Sequence, residues 1–357
     1  MKIISVQTRF EHFELVRPYA ISFRATQDSV ENAIVEIRTD NRLCGYGAGS
    51  PEHFVTGETR EDTAAALTEE SLSWLIGQDV TELPRLCREL ATRYPHAPAA
   101  RAAVDMALYD LLATSLDTPL ADMLGRAHDG LPTSITIGIK SLEETLEEAD
   151  EYLGRGFKIL KVKLGEALDS DIEKLVKLRE RIGDKMLIRV DPNQGYSADD
   201  VIAFCDRTRQ LDIEFLEQPM AQKDVTAMKA LPEDIKDLVA ADETLLRETD
   251  AIELIAPPRA CGIFNIKLMK CGGVWSGGRI ANIAEASGIS LMWGCMDESI
   301  ISISAALHAA LASPATRYLD LDGSLDLARD LVSGGFIIED GVMRTVDAPG
   351  LGVKPLT

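Results

Sequence analysis

The sequence predicts an α/β fold in which a parallel barrel of eight strands is joined to a smaller N-terminal α+β domain. Through the second half of the chain, short apolar runs alternate with helix-length segments, which indicates parallel strands joined by right-handed crossovers. Before about residue 125, strand-like segments come first and helical segments follow, as is typical of an α+β domain. A chain of 357 residues is long enough for both units.

In the N-terminal part, residues 2–10 and 31–38 alternate apolar and polar side chains and are predicted to be antiparallel strands. The polar segment 17–29 lies between them and is predicted to be a loop, as is the glycine-rich segment 45–59.

Two helices are predicted to follow, over about 60–76 and over 98–116. The second is rich in alanine, which allows close packing of a helix against its neighbours.

The repeating part of the chain contains eight strand candidates, and their ends define the barrel. They end near residues 140, 163, 191, 217, 242, 267, 295 and 322. The tail carries one more strand pair without a helix and is predicted to return to the first domain. The predicted domains are therefore 1–125, 126–325 and 326–357.

Composition excludes several classes of partner and site. A net charge of −21 would repel the phosphates of nucleic acids and anionic membrane surfaces. No apolar stretch is long enough to span a bilayer, and the N-terminus lacks the apolar core of a secretory signal. Six cysteines without paired spacing and five scattered histidines argue against disulfides and zinc. We therefore expect a cytoplasmic protein.

Charged residues recur at the ends of five successive strand candidates, at intervals of 25 to 28 residues. They are Lys161, Lys163, Asp191, Glu217, Asp242 and Lys267. Barrel enzymes keep their chemistry at the carboxyl ends of the strands. The spacing therefore predicts that these side chains meet in one active site.

The three acids of this series are predicted to bind a metal ion. Asp191, Glu217 and Asp242 come from successive strands and offer hard oxygen ligands with open positions left over, which suits Mg²⁺. Each acid also precedes a helix and could be an N-cap. Three in phase, with no serine or threonine among them, favour the metal.

The lysines are predicted to act as bases. Lys161 and Lys163 leave the same face of one strand, so their repulsion should lower the pKa of at least one. Lys267 lies four strands further on, which is the opposite side of an eight-stranded barrel. A lysine on each side could remove a proton from one face of an α-carbon and return one to the other.

The segments KVK, DPNQG, EQP, ADET and NIKLMKCGG resemble the muconate-lactonizing branch of the enolase superfamily, over essentially the whole chain. This resemblance implies a (β/α)7β modified TIM barrel with an N-terminal α+β capping domain. It also implies lysine bases and Mg²⁺ acting on a proton α to a carboxylate, through an enediolate.

Within this family the last barrel strand is similar to that of dipeptide epimerases, such as the L-Ala-D/L-Glu type. Asp320 and Asp322 form the Asp-x-Asp that would hold the α-ammonium group of a dipeptide. The resemblance places Arg24 at the terminal carboxylate of the substrate and Thr136 at another substrate contact. Asp320 and Asp322 could instead form a solvated strand end or a turn, and Arg24 could be an ordinary surface arginine.

Two further acids predict a preference for the substrate side chain. Glu52 lies in a capping loop, and Asp297 follows the seventh strand, where epimerases of acidic dipeptides carry an apolar residue. Negative groups there would attract Lys or Arg side chains. They could equally be exposed acids of an acidic protein.

The sequence therefore predicts an isomerase, a Mg²⁺-dependent dipeptide epimerase that works as a homo-oligomer. Alternatives on the same scaffold are N-acylamino-acid racemisation, cycloisomerisation and o-succinylbenzoate synthesis, whose substrates have no ammonium group for Asp320 and Asp322. A Schiff-base lyase would use Lys163 or Lys267 without a metal. A non-catalytic binding protein is the third alternative.

Overall fold

The computed structural model describes residues 1–21 and 24–356, with side chains described outside 18–27. The N-terminal part is a three-stranded antiparallel sheet covered by helices. Its strands, in sheet order, are β1 (Ile3–Ile21), β2 (Arg24–Thr39) and β3 (Cys44–Gly49). Its helices are α1 (His53–Thr56), α2 (Arg60–Ala66), α3 (Glu69–Leu72), α4 (Leu83–Arg93), α5 (Pro98–Ser115) and α6 (Leu120–Leu124).

Strand β3 corrects the prediction of a loop at 45–59, because the first residues of that segment pair with β2. Its glycines are required by packing. A Cβ at Gly47 would collide with the carbonyl oxygen of Ala103 in α5, and Gly45 and Gly49 meet the same helix in the same way. The alternate glycines of a strand thus match successive turns of an alanine-rich helix.

Two other predicted elements differ from the structure. Strands β1 and β2 extend into the predicted loop 17–29, where they pair with each other. The predicted helix 60–76 is interrupted after α2, and Thr68 caps the next turn by accepting a hydrogen bond from the backbone of Ser71. A new N-cap of this kind starts a second helix, although the spacing of apolar residues continues as in a single helix.

Eight parallel strands form the barrel, as predicted. They are β5 (Ile135–Ile137), β6 (Ile159–Lys163), β7 (Leu187–Asp191), β8 (Ile213–Glu217), β9 (Val239–Ala241), β10 (Ile263–Ile266), β11 (Ser290–Gly294) and β12 (Thr316–Asp320). A parallel bridge between Thr133 and Leu319 joins the first strand's approach to the last strand.

Helices follow each of the first seven barrel strands, which confirms the (β/α)7β order. They are α7 (Leu142–Gly154), α8 (Leu168–Ile182), α9 (Ala198–Arg207), α10 (Val225–Ala230), α11 (Glu233–Lys236), α12 (Glu248–Ile255), α13 (Leu268–Cys271), α14 (Val274–Ser287) and α15 (Ile300–Leu311). In the part of the chain described, no helix is long and apolar enough to cross a bilayer.

The remaining strands are β4, which precedes the barrel, and four strands of the C-terminal tail. Strand β4 (Leu131–Pro132) pairs with β15 (Val342–Thr345), which pairs with β14 (Phe336–Glu339), and β13 (Val332–Gly334) pairs with β16 (Val353–Pro355). The tail also reaches the first domain, because the backbone N–H of Ala328 donates to the carbonyl of Glu14. The predicted domain boundaries stay a prediction.

Candidate active site

A cavity of about 520 Å³ lies at the carboxyl ends of the barrel strands, with capping-domain residues from 29–31 and 50–60 in its wall. Most of the residues predicted for the site line it: Glu52, Thr136, Lys161, Lys163, Asp242, Lys267, Asp297, Asp320 and Asp322. Asp191 and Glu217 are fully buried and contact the lysines of this wall. Arg24 lies outside the residues whose side chains are described.

Lys161 sits among three acids at the centre of the site. Its Nζ atom is 2.6 Å from Glu217 Oε2, 2.7 Å from Asp320 Oδ2 and 3.5 Å from Asp191 Oδ2. Burial alone would lower the pKa of Lys161, but these carboxylates outweigh it and hold the pKa well above its usual value. Lys161 is therefore not a lysine whose pKa the repulsion lowers, and it remains a cation.

Lys163 and Lys267 occupy opposite sides of the barrel. Lys163 ends β6 and Lys267 follows β10, so three strands separate them in either direction around the ring. Lys163 Nζ donates to Asp191 Oδ2 at 2.5 Å, and Lys267 Nζ donates to Asp242 Oδ2 at 2.8 Å. The site therefore has one ammonium group on each side, each held by a different carboxylate.

Asp242 has a second cation that sequence reasoning missed. Lys270, almost fully buried, donates to the carboxylate of Asp242, to its carbonyl oxygen and to the carbonyl of Asn265. Burial would raise the pKa of Asp242, but Lys267 and Lys270 hold it below its usual range. The signal was present in NIKLMK, because its two lysines are three positions apart, which places them within one helical turn.

Glu217 lies between the other two acids of the predicted metal set. Asn265 donates to its Oε1 atom at 2.8 Å, while its Oε2 atom has no aligned hydrogen-bond donor among the described residues, although Lys161 is in ion-pair contact. Burial raises the pKa of Glu217 to about 7, with Asp191 and Asp242 adding to the rise against Lys161. The positive charge of Lys161 therefore does not fully offset the burial of Glu217 and the two neighbouring acids.

Glu243 adds a fourth buried carboxylate that the sequence interpretation did not include. It lines the cavity beside Asp242, and its buried Oε2 atom has no hydrogen-bond partner among the described residues. Burial raises its pKa to about 8, with Asp242 and Asp191 contributing. Such an orphaned oxygen is costly unless a donor or a cation reaches it.

The acids fit a hard divalent cation in chemistry and in charge. Three carboxylates from adjacent strands supply oxygen donors, which Mg²⁺ prefers. Among the described residues, no three acidic, histidine or cysteine side chains converge as a ligand set, because the lysine ammonium groups lie between the carboxylates. A bound ion would therefore draw Asp191 and Asp242 away from the lysines that hold them.

The two aspartates of the Asp-x-Asp pair differ in their surroundings. Asp320 is neutralised by Lys161 and accepts a second hydrogen bond from the Ser134 hydroxyl at 2.6 Å. Asp322 accepts the backbone N–H of Thr136 at 2.7 Å and makes no ion pair with a described residue. Burial beside Asp320 raises the pKa of Asp322 to about 7. The uncompensated acid of the pair is therefore Asp322.

The outer cavity wall carries further acids. Glu52 also caps α1, because its Oε1 atom accepts the N–H of Phe54 at 3.3 Å. The carbonyl of Asp297 receives hydrogen bonds from Asn32 and Ser50, which fix its loop to the capping domain.

Asp326, which the sequence interpretation missed, lies in the same wall, and its carboxylate forms no ion pair with a described residue. Burial raises its pKa to about 8, with Asp322 and Asp297 adding to the rise. It follows the last strand without a recognisable motif, so only the fold brings it to the cavity.

Family models match both parts of the chain. Residues 3–125 match the mandelate racemase / muconate lactonizing enzyme N-terminal domain, and residues 144–356 match the enolase C-terminal domain-like family. Together they cover nearly all of the sequence.

Relatives are similar over the full length. The chain is 59% identical over 353 residues, 99% of both chains, to the L-Lys-D/L-Arg epimerase of Methylococcus capsulatus. It is 53% identical over 354 residues, 99% of both chains, to an L-Lys-D/L-Arg epimerase of Desulforapulum autotrophicum. A crystal structure of the dipeptide epimerase from Methylococcus capsulatus, complexed with Mg and the dipeptide L-Arg-D-Lys, superposes with a TM-score of 0.98, at 59% identity over 99% of each chain. The chain belongs to the mandelate racemase/muconate lactonizing enzyme family of the enolase superfamily.

Proposed function

We propose that this protein is a Mg²⁺-dependent dipeptide epimerase, an isomerase that inverts one α-carbon by proton transfer between two lysines. The observation that carries the proposal is the placement of Lys163 and Lys267 on opposite sides of one cavity with acids between them. The full-length similarity to dipeptide epimerases supports it.

The reaction needs the two lysines in opposite protonation states. A neutral amine on one side removes the α-proton, and an ammonium group on the other side donates a proton to the opposite face, so that the proton count is unchanged. Mg²⁺ held by Asp191, Glu217 and Asp242 would stabilise the negative charge that develops on the substrate carboxylate.

The carboxylates of the predicted metal set also regulate the bases. Asp242 and Glu217 hold the pKa of Lys267 above its usual value against the effect of burial. If a bound cation balanced the charge of Asp242, Lys267 would lose that support and its pKa would fall toward the range that a base requires. Lys161 keeps Glu217 and Asp320 as partners and would neutralise developing negative charge without transferring a proton.

The substrate ammonium group would bind at Asp322, whose charge is not balanced by a described residue. Asp320 would position Lys161, and Thr136 would support Asp322 through its backbone N–H. The assignment of Arg24 to the terminal carboxylate stays a prediction from the sequence.

A preference for Lys- and Arg-containing dipeptides follows from the cavity acids. Asp297, Glu52 and Asp326 line the same cavity as the proposed ammonium site, and their carboxylates would attract a cationic side chain. The names of the relatives agree with this preference. If Asp297→Ala and Glu52→Ala leave turnover of Lys- or Arg-containing dipeptides unchanged, these two acids do not determine it.

The test is a library of L,L-dipeptides incubated with the protein and Mg²⁺ in D₂O and read by mass gain. We expect one deuterium at one α-position, with Lys- and Arg-containing dipeptides turned over fastest. No deuterium in any dipeptide contradicts the function. Activity that survives EDTA, together with trapping by borohydride, would instead identify Schiff-base chemistry. The homo-oligomeric state and the cytoplasmic location stay predictions.

A further inference from the structure

A second cavity, of about 760 Å³, lies between the capping domain and the barrel. The turn after β10 separates it from the candidate active site: Lys267 lines the first cavity and Lys270 the second. The second cavity is strongly basic, and we call it the basic cavity. Its cationic and titratable basic residues are Arg88, Arg101, Arg247, Arg279, Lys270 and His96. Among the described lining residues Glu248 is the one acid, in a chain whose net charge is −21.

Some of this positive charge is balanced within the protein. Lys270 is paired with Asp242, and Arg279 Nε lies 3.1 Å from Glu248. Glu248, Glu58 and Asp105 also act on Arg101, although burial outweighs them and lowers its pKa, and Arg101 forms no ion pair with a described residue.

Three guanidinium groups of the basic cavity, those of Arg88, Arg101 and Arg247, have no short ion pair with a described residue. Arg88 makes no ion pair with a described residue and lies 5.7 Å from the centre of the Trp275 ring, which Arg279 approaches from 5.9 Å. Arg247 approaches Asp250 at 3.9 Å, a long contact at an exposed position. The rim therefore presents guanidinium groups from both domains around one indole ring.

Arg101 supplies the inner wall. Its Nη2 atom donates to the carbonyl of Cys271 at 3.3 Å, while its buried Nε atom has no hydrogen-bond partner among the described residues. A Cβ at Gly272 would collide with this guanidinium, so the turn that carries Lys270 packs directly on it. Arg101 also lines the cavity, where an oxyanion would offer its guanidinium a charge-assisted hydrogen bond.

We propose that the basic cavity is a binding site for a phosphate group, held by Arg101 from within and by Arg88 and Arg247 at the rim. Guanidinium groups match phosphate oxygens through paired, charge-assisted hydrogen bonds. The ligand would bridge the domains, because Arg88 and Arg101 belong to the capping domain and Arg247 to the barrel.

The test uses inorganic phosphate as the probe, with EDTA present to exclude divalent ions and with sodium chloride at matched ionic strength as the reference. Binding is followed by calorimetry, and the unfolding temperature by scanning fluorimetry. We expect saturable binding and a rise in unfolding temperature for the wild-type protein. The double variant Arg88→Gln/Arg247→Gln should bind phosphate at least about tenfold more weakly, since it loses two charge-assisted contacts.

The matched control is Arg93→Gln/Arg209→Gln, which removes the same charge from two exposed arginines outside the basic cavity. It should bind phosphate as the wild type does. Equal weakening in both double variants, or no saturable response beyond that of chloride, overturns the proposal. The proposal is also overturned if the wild-type protein does not bind phosphate and the Arg88→Gln/Arg247→Gln variant has a lower molecular mass in solution. That result would mean that acids of a second copy occupy the cavity. Dipeptide turnover is measured separately, so its failure does not affect this result.

Discussion

Lys270 Nζ donates to the carbonyl oxygen of Asp242 at 2.6 Å and also to the carboxylate of the same residue. One buried ammonium group therefore fixes both the backbone and the side chain of an acid that faces the candidate active site. Asp242 carries its negative charge between two lysines, one on the cavity side and one behind.

We expect Lys270→Met to loosen this acid. The variant should lose about 3 kcal/mol of stability, because a buried carboxylate loses one of its two cations. It should also bind Mg²⁺ about tenfold more weakly, as is usual when a group that orients a ligand is removed. Calorimetry with Mg²⁺ measures the second effect. Lys236→Met, at a buried lysine paired with exposed Glu233, is the control; equal Mg²⁺ affinities in the two variants would refute the role of Lys270.

Lys163→Ala and Lys267→Ala should each abolish epimerisation while leaving one half-reaction. The remaining lysine faces one side of the α-carbon, so each variant should exchange the α-proton of one stereoisomer in D₂O. Exchange of the other stereoisomer should fall by about 10²- to 10⁴-fold. Proton NMR with L,L- and L,D-dipeptides measures this. Lys177→Ala, at an exposed lysine, controls for charge. Equal exchange of both stereoisomers by either variant would mean that the lysines are not opposed.

Asp322→Asn and Asp320→Asn should differ in kinetic effect. Asp322 is the uncompensated acid, so its variant should raise KM for dipeptides about tenfold or more through loss of a charge-assisted contact. An N-acetylated dipeptide should bind both the wild type and this variant equally weakly. Asp320→Asn removes a partner of Lys161 and should lower kcat. The same kinetic pattern in both variants would show that the two aspartates act as one unit.

Asp326 should make stability depend on pH. Its pKa is raised from 3.8 to about 8 on folding, first by burial and then by Asp322 and Asp297. A carboxyl with a raised pKa stabilises the folded state while protonated, and this contribution is lost as pH rises toward 8. The gain in unfolding temperature of Asp326→Asn should therefore be larger at pH 8.5 than at pH 5.5. Asp206→Asn, at an exposed acid, should show no such difference. A gain independent of pH would exclude this titration.

Much of the barrel and the site could be predicted because strand candidates that end in charged residues recur at regular intervals along the chain. The strands ending at Lys163, Asp191 and Glu217 end where the spacing indicated, and the charged residues mark the functional end of the barrel. The capping domain was predicted less well. Strand β3 is built from glycines that only its packing on α5 explains, and local composition alone indicates a loop.

The supporting residues of the site were missed for a related reason. Lys270 and Asn265 act by orienting Asp242 and Glu217, and their roles depend on contacts across strands. Asp326 reaches the cavity from a short helical turn after the last strand. The sequence also indicated repulsion between Lys161 and Lys163, whereas the structure places three carboxylates around Lys161, and these determine its pKa.

Proton transfer by two lysines on opposite faces of one α-carbon can be followed in a single turnover of an L,L-dipeptide in D₂O with Mg²⁺. The substrate is one that the library identifies, and mass spectrometry reads both stereoisomers. We expect the L,D-product to carry one deuterium at the inverted carbon, while the recovered L,L-substrate is still largely protiated. An L,D-product that retains the original proton at the inverted carbon would contradict transfer between two lysines.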